Sequence, residues 1–167
     1  MSAEDNIALV HRFLDEVVNT GNLNAIHDLF AADHVAHYPG FPTIQGHEDW
    51  KQLTAASYTA FPDIYTTFED EMAMGDKVVV RYTVRATHKR AFMNIPASGR
   101  PVVYTGIAIF RIADGKIVEQ WQEADLMGLM LQLSESTWRT MTEPLGQRET
   151  EGLQHTMGVA APMEEIG

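Results

Sequence analysis

The 167-residue chain contains no cysteine. This absence excludes disulfide bonds, iron–sulfur clusters, catalytic thiols and thiolate zinc sites. The one spacing that suggests a metal, His34 and His37 beside Asp33, lies in a proline-bounded segment and specifies no third ligand. We therefore expect neither a metal ion nor another cofactor.

Basic residues are also scarce, since 12 Lys and Arg face 23 Asp and Glu, for a net charge of −11. Nucleic acids and anionic membranes bind basic faces, so neither is an expected partner. No apolar run reaches the ~18 residues that a membrane-spanning helix needs, and the polar, acidic start does not resemble a signal peptide. A cytoplasmic location is the expectation.

Length and composition bound the domain organisation. With 45% hydrophobic residues, the chain suits one domain with a substantial core. We expect this domain over residues 1–133 and a partly ordered C-terminal extension over residues 134–167. Scattered apolar residues such as Trp138 and Met141 make the extension a candidate to pack on a neighbouring subunit.

The first part of the chain has helical periodicity. Apolar residues recur every three or four positions over residues 7–18, which predicts an amphipathic helix. A shorter helix is predicted from Leu23 to Phe30, followed by a proline-containing loop over residues 34–46. A third helix is predicted over residues 47–61, because the following proline disfavours further helix.

From Ile64 onward, β-branched and aromatic residues alternate with turn residues, which is typical of consecutive hairpins. Helices followed by hairpins predict an α+β fold, in which three N-terminal helices pack on one face of a curved antiparallel sheet. A curved sheet that helices close on one side has the shape of a cone, and the interior of the cone is a small-molecule pocket. The predicted strands are residues 64–74, 77–88, 102–112 and 117–125.

A lone acid, Asp125, ends the last predicted strand before an apolar run. Among Trp121, Leu126 and Met127 its carboxylate would lose hydration, which lets one group act as base and then as acid. Strand alternation places Trp121 and Asp125 on one face, where we expect the pocket wall, and the even-numbered residues of 118–124 on the other. The alternative is that Asp125 caps the helix that begins at Leu126.

Several motifs occur in an order that resembles a known family. They are Phe61-Pro62-Asp63, GDKVVVRYTVRATH at residues 75–88, IPASGRPV at residues 95–102 and IFRIADGKIVEQW at residues 109–121. Together they resemble the SnoaL-like polyketide cyclases over roughly residues 5–133. That family is similar in fold to nuclear transport factor 2 and the ketosteroid isomerases.

The resemblance implies a cofactor-independent enzyme that closes a ring by intramolecular aldol condensation. The group at Asp125 would remove a proton next to a carbonyl and then protonate the new alkoxide. Some cyclases pair this acid with a histidine on the preceding strand, where this chain has Tyr104 or Arg111 instead. Tyr104, Arg111 and Arg81 are candidates to hold the enolate or carbonyl oxygen. Salt bridges are the alternative for the two arginines.

Two histidines and several large side chains complete the candidate site. His37 lies at the expected mouth of the cone and His88 ends the long strand, so either is a candidate to touch the ligand and to assist Asp125 in catalysis. Large apolar walls suit a flat polycyclic aromatic or terpenoid ligand. The wall candidates are Trp50, Phe61, Phe92, Trp121 and Met127.

Two classes of function stay open at this point. The first is a polyketide cyclase-like enzyme, and the second is a binding module of the same fold without turnover; an isomerase, a dehydratase and an epoxide hydrolase are further members of such a fold. Apolar residues on both faces of the strands predict a homodimer through the open face of the sheet.

Overall fold

Six β-strands form one sheet in the computed structural model, which describes residues 2–134. The strands are β1 (Phe30–His37), β2 (Ile44–Gln45), β3 (Tyr65–Met74), β4 (Lys77–Thr87), β5 (Pro101–Ala113) and β6 (Lys116–Ala124). They lie in the order β2-β1-β6-β5-β4-β3, and the pairing is antiparallel except between β1 and β6. Apart from Ser134, the predicted C-terminal extension lies outside the described residues.

Four α-helices accompany this sheet in the described part of the chain. They are α1 (Ala3–Phe13), α2 (Ile26–Leu29), α3 (Gly46–Ala60) and α4 (Leu126–Leu133). Helix α1 begins after Ser2, which forms a capping box with Asp5. A π-helical turn continues the helix from Leu14 to Val18. The predicted α+β class, with helices packed on a mainly antiparallel sheet, is confirmed. No helix of residues 2–134 is long and apolar enough to cross a membrane.

The segment before α3 differs from the prediction. The second helix ends at Leu29, and Phe30 begins a strand where a helix end and then a loop were expected. Phe30, His34 and Ala36 are buried in β1. The strand forms because it pairs in parallel with β6, about eighty residues later in the chain, which a local sequence pattern does not reveal.

The four later strands begin and end within one residue of their predicted bounds. Asp114 and Gly115 have φ angles of 50° and 74°, the pair of positive values that a tight two-residue hairpin turn requires. β6 ends at Ala124, so Asp125 lies in the junction between β6 and α4.

The core holds the helices on one face of the sheet. The Phe13 ring packs edge-on against Phe30, Trp50 and Phe110, with ring centroids 5.1 to 5.7 Å apart. All four side chains are at least 95% buried, and such aromatic contacts add about 0.5–1.5 kcal/mol per pair beyond area burial. This cluster lies at the base of the cavity described next.

Candidate functional site

Two adjoining chambers lie between the helices and the sheet. The inner chamber has a volume of about 130 Å³ and the outer one about 290 Å³. Five residues contribute to the lining of both chambers, and we call them the waist: Tyr38, Ser57, Ile64, Tyr104 and Gln122. The outer chamber alone approaches the size of ordinary ligand pockets, which begin at about 300 Å³.

The inner chamber is mostly apolar, with a few polar side chains on the sheet side. Its apolar wall includes Phe13, Val80 and Phe110, while Tyr82 and Gln120 supply polar atoms. The inner chamber therefore combines flat apolar contact with a small number of hydrogen-bonding groups, as ligand sites do.

The outer chamber is lined by Phe61, Phe92 and Leu129, and it reaches the surface at Pro39 and Met93. Met93 is 53% exposed and has a φ angle of 46° in a two-residue turn, where Phe92 and Ile95 exchange two backbone hydrogen bonds. These residues form the mouth of the cavity.

A short hydrogen-bond network crosses the waist. The Gln120 Nε2 amide donates to the Tyr38 hydroxyl at 3.3 Å and to Gln122 Oε1 at 3.0 Å. Gln120 and Gln122 are two apart on β6 and lie on the cavity side of the sheet, together with Ala124 of the outer chamber. The even-numbered face of β6 is therefore the cavity face, and the expectation that Trp121 and Asp125 form the wall is wrong.

Burial keeps the phenols of the cavity protonated. Loss of hydration raises the pKa of Tyr38 and of Tyr104 to about 12, and it raises the pKa of Tyr82 further. The neighbouring Trp50 and Gln120 side chains lower the pKa of Tyr38 and so oppose this effect only in part. At neutral pH the three phenols are hydrogen-bond donors and not bases.

Within residues 2–134, no Asp, Glu, Lys, Arg or His side chain lines either chamber. An ion placed in such a cavity would lose its hydration without a counter-charge, which is strongly unfavourable. The chambers therefore suit an uncharged molecule.

The structure places Asp125 outside the cavity, at the start of α4. Its side chain is exposed and accepts a hydrogen bond from the backbone N–H of Gly128 at 2.8 Å, which makes it an N-cap. A Cβ atom at Gly128 would overlap the Asp125 carboxylate, which would have to move out of its capping position. The expectation that Asp125 projects into an apolar interior is therefore wrong, and the alternative that it caps the following helix is correct.

Four other predicted site residues lie on the outer face of the sheet. His37 stacks on Trp121, with ring centroids 5.5 Å apart, and its Nε2 lies 3.1 Å from Glu119. Arg111 donates two hydrogen bonds to the same Glu119 carboxylate, whose pKa is lowered mainly by the contact with His37 and further by Arg111. Arg81 pairs with Asp70 at 3.6 Å. Both arginines therefore form salt bridges, which was the alternative to a role in the site. All four side chains point away from the sheet face that lines the chambers.

His88 and Met127 also lie away from the cavity. His88 is fully buried, its Nδ1 accepts a hydrogen bond from the Ser98 backbone N–H at 3.2 Å, and its ring packs on Phe61. Burial lowers the pKa of His88, so its neutral ring supports Phe61 from behind. Met127 is 72% exposed on α4.

The remaining predicted residues do meet in the cavity. Trp50 lines the inner chamber, Phe61 and Phe92 line the outer one, and Tyr104 lines both. Polar residues of the cavity lining that the sequence did not predict include Tyr38, Tyr82, Gln120 and Gln122. The sequence did contain a signal for the two glutamines. Gln120 and Gln122 share one face of the predicted strand with Val118 and Ala124, and amides on such an apolar face need a polar partner.

The suggested metal pair is separated by the fold. His34 is fully buried and His37 lies on the outer face, so the two rings point to opposite sides of β1. Across the described residues, no group of three or more histidine and acidic side chains could hold a metal ion.

Comparisons with known proteins place the chain in a family. The family model for SnoaL-like polyketide cyclases matches residues 8–133. A structure described as IdmH, a proposed polyketide cyclase from Streptomyces antibioticus, is 31% identical, with a TM-score of 0.64, and the match covers 80% of this chain and 99% of that one. No curated protein sequence matches the chain significantly.

Two further structures share the fold. AclR from Streptomyces galilaeus, described as a proposed hydroxylase, is 28% identical with a TM-score of 0.72, covering 79% of this chain and 97% of that one. A proposed SnoaL-like polyketide cyclase from Jannaschia sp. CCS1 is 23% identical with a TM-score of 0.75, covering 80% of this chain and 94% of that one. From the family match over most of its length, the chain belongs to the SnoaL-like polyketide cyclase family.

Proposed function

We propose that this chain binds a flat, uncharged, polyketide-type molecule in the two chambers and promotes its intramolecular aldol closure without a cofactor. The observation that carries the proposal is the meeting of phenol and amide groups at and beside the waist, between two apolar chambers. An extended chain of carbonyl groups would have to bend there, which brings its two reacting carbons together.

The chemistry needs a stabilised enolate. A proton leaves the methylene carbon between two carbonyl groups, and the negative charge that develops on a carbonyl oxygen is held by a phenol O–H of Tyr82 or Tyr104. The enolate carbon then forms a bond to a second carbonyl carbon, whose oxygen becomes an alkoxide and takes back the proton that was removed in the first step. In this proposal water at the mouth accepts the first proton, since the cavity lining of residues 2–134 offers phenols and amides but no carboxylate or imidazole.

The second candidate function is binding without turnover. The same uncharged lining favours it, because no side chain of the described lining changes its charge near neutral pH. The two candidates share the ligand class and differ only in whether the activated methylene exchanges its protons.

The test is deuterium exchange, followed by NMR, at the activated methylene of an anthraquinone-type polyketide ester. We expect exchange or ring closure with the wild type, a clear reduction with Tyr82→Phe, and no change with Tyr65→Phe, a matched control at a tyrosine that is 58% exposed outside the cavity. Binding shifts without exchange would favour the binding module. Loss of exchange in Asp125→Asn would return the base to Asp125.

We also propose a homodimer through the outer face of the sheet. The cross-strand partners Met72, Val79, Ile109 and Trp121 form an apolar row over four strands, and Met72 is 62% exposed. Two such rows can cover each other in a symmetric dimer. Light scattering should give the mass of two chains for the wild type and of one chain for Ile109→Lys, with Thr59→Lys, an exposed position on α3, as the control. A single-chain mass for the wild type would contradict the dimer.

A further inference from the structure

Charged side chains on the outer face of the sheet are sorted by strand. Every fourth residue of β4 is an exposed cation: Lys77, Arg81 and Arg85. On β6, Glu119 and Glu123 lie on the outward, odd-numbered side of the strand. One stripe of this face is therefore basic and another is acidic, and β5 lies between them.

Apolar side chains of β5 separate the two charged stripes. Val103 and Ile107 are 48% and 49% exposed, and Ile109 is partly exposed on the same side of the strand. Aliphatic side chains that form a row on an exposed face favour contact with another apolar surface. From β4 to β6, the outer face thus has a basic, an apolar and an acidic stripe.

The cross-strand register aligns these stripes in rows. Arg81 lies opposite Ile107 on β5, and Ile107 lies opposite Glu123 on β6. The neighbouring row has the same centre strand and consists of Val79, Ile109 and Trp121. In the charged row, opposite charges therefore lie at equal distances on the two sides of β5.

Two such faces can pack on each other about a two-fold axis in two ways. An axis that runs along β5 places β4 of each copy over β6 of the other and leaves each residue in its own row. An axis perpendicular to the strands places each strand over its own copy, so that the two basic stripes meet. Opposite charges face each other only in the first arrangement, which the charge pattern therefore favours.

We propose that two copies of this chain pack through their outer faces about a two-fold axis along β5, with Arg81 of each copy against the partner's Glu123. Ile107 then meets the partner's Ile107, and Val79 meets the partner's Trp121. Packed sheets lie about 10 Å apart, a gap that an arginine and a glutamate side chain span together. This arrangement rests on the homodimer proposed above and deepens it, because it names the strands and the charges that meet.

The two charges of the proposed contact are available for it. Glu123 is exposed and has no ion-pair partner among residues 2–134. Arg81 lies 3.6 Å from Asp70, but the two side chains are 49% and 69% exposed, and such a pair is weak and leaves further guanidinium N–H groups to donate. Glu119 is already bonded to Arg111, so the row of Arg81 supplies the main ion pair.

Charge reversal tests the arrangement. Arg81→Glu brings two acids together in both copies of the contact, and Glu123→Arg brings two cations together, so each variant alone should dimerise at least about tenfold more weakly than the wild type. An equimolar mixture of the two variants should form a heterodimer of about wild-type affinity, because opposite charges then meet in both contacts. Analytical ultracentrifugation measures the affinities, and native mass spectrometry identifies the heterodimer.

Matched controls account for the change in net charge. Lys89→Glu and Glu48→Arg alter exposed residues outside the sheet by the same charges, and both should dimerise like the wild type.

The absence of cysteine from the chain allows a second measurement that keeps the charged pair intact. An axis along β5 brings two thiols together in Val103→Cys and also in Ile107→Cys, so a short bis-maleimide should cross-link both variants into dimers. Arg85→Cys lies opposite Val103 but on β4, and it should stay a single chain in the same reaction. A perpendicular axis in that row would instead cross-link Arg85→Cys and spare Ile107→Cys.

The outcomes separate the arrangement from the dimer itself. A single-chain mass for the wild type would overturn both. Undiminished dimerisation of the two charge-reversal variants, a mixture without heterodimer, or cross-linking of Arg85→Cys in place of Ile107→Cys would each overturn the arrangement and leave the dimer in place. The cavity chemistry is tested independently by deuterium exchange at the activated methylene.

Discussion

The phenol ring of Tyr82 lies across Gly106, its cross-strand partner on β5, in space that a Cβ atom at Gly106 would occupy. Because Gly106 has no side chain, the Tyr82 ring can pack against the concave face of the sheet, where Tyr82 lines the inner chamber. A side chain at residue 106 and the observed position of Tyr82 exclude each other.

The first prediction follows from this contact. Gly106→Ala should lower the free energy of unfolding by about 1–3 kcal/mol, because overpacking displaces the tyrosine or the strand. In a Tyr82→Leu background the same substitution should cost less, since the ring that it meets is gone. Chemical denaturation of the four proteins gives the coupling energy.

The backbone oxygen of Glu123 also lies 2.6 Å from the position of that Cβ atom, so part of the cost should persist in the double variant. Equal costs in both backgrounds would show that Tyr82 does not depend on Gly106.

A second prediction concerns Asp125. As an N-cap, it should tolerate Asn, which caps helices well, whereas Asp125→Ala should lower the free energy of unfolding by about 1 kcal/mol. Ligand affinity in the chambers should stay unchanged in both variants, because the side chain is exposed and bonded to Gly128. Urea denaturation and calorimetry measure the two effects.

Gly128→Ala is the matched test of the cap, since its new Cβ atom would meet the Asp125 carboxylate. We expect a destabilisation that Asp125→Ala largely relieves. If the Asp125→Asn variant had normal stability but no longer promoted proton exchange at the substrate methylene, Asp125 would have a role in catalysis in addition to capping α4.

The third prediction is a pH dependence from His34. This ring is fully buried against Phe30, its two nitrogens have no partner in the described chain, and burial lowers its pKa from 6.5 to about 4. His47 on α3 lowers the pKa further, while the neighbouring Asp33 opposes the shift. Below pH 6.5 the unfolded chain binds a proton that the folded chain refuses, so stability falls as the pH decreases.

The loss should reach about 2 kcal/mol between pH 7 and pH 4.5. His34→Leu removes the titrating group and should flatten this part of the curve, with wild-type stability or better at neutral pH, since leucine needs no hydrogen-bond partner. Denaturation across the pH range measures it. Parallel curves for the two proteins would assign the acid sensitivity to other groups.

A fourth prediction concerns the mouth. Met93 and Asn94 have φ angles of 46° and 66° in the two-residue turn, a conformation that asparagine tolerates and methionine does not favour. Met93→Asn should raise the free energy of unfolding by about 0.5–1 kcal/mol. It should also weaken binding of apolar ligands, because Met93 lines the outer chamber.

Thermal unfolding and ligand titration measure these opposite effects on one protein. Asn94→Ala, at the second position of the same turn, is the control and should be destabilising. A Met93→Asn protein less stable than the wild type would show that the methionine side chain contributes more by packing than it costs in backbone strain.

Local sequence signals determined much of this fold. Turn chemistry at Asp114-Gly115 fixed one hairpin, and the alternation of β-branched residues placed the later strands within one residue of their observed bounds. Helical periodicity and Pro62 located α3, which the structure shows over Gly46–Ala60. These features depend on neighbours a few residues apart, so a short stretch of sequence specifies them.

Tertiary structure alone decided where the cavity lies. β1 became a strand through parallel pairing with β6, and the face of β6 that meets the helices was the one with Gln120 and Gln122, although both faces carry apolar and polar residues. That choice turned Trp121 outward and left Asp125 as a helix cap. The physical reason is that a strand's two faces differ only in what packs on them, and this partner comes from distant parts of the chain.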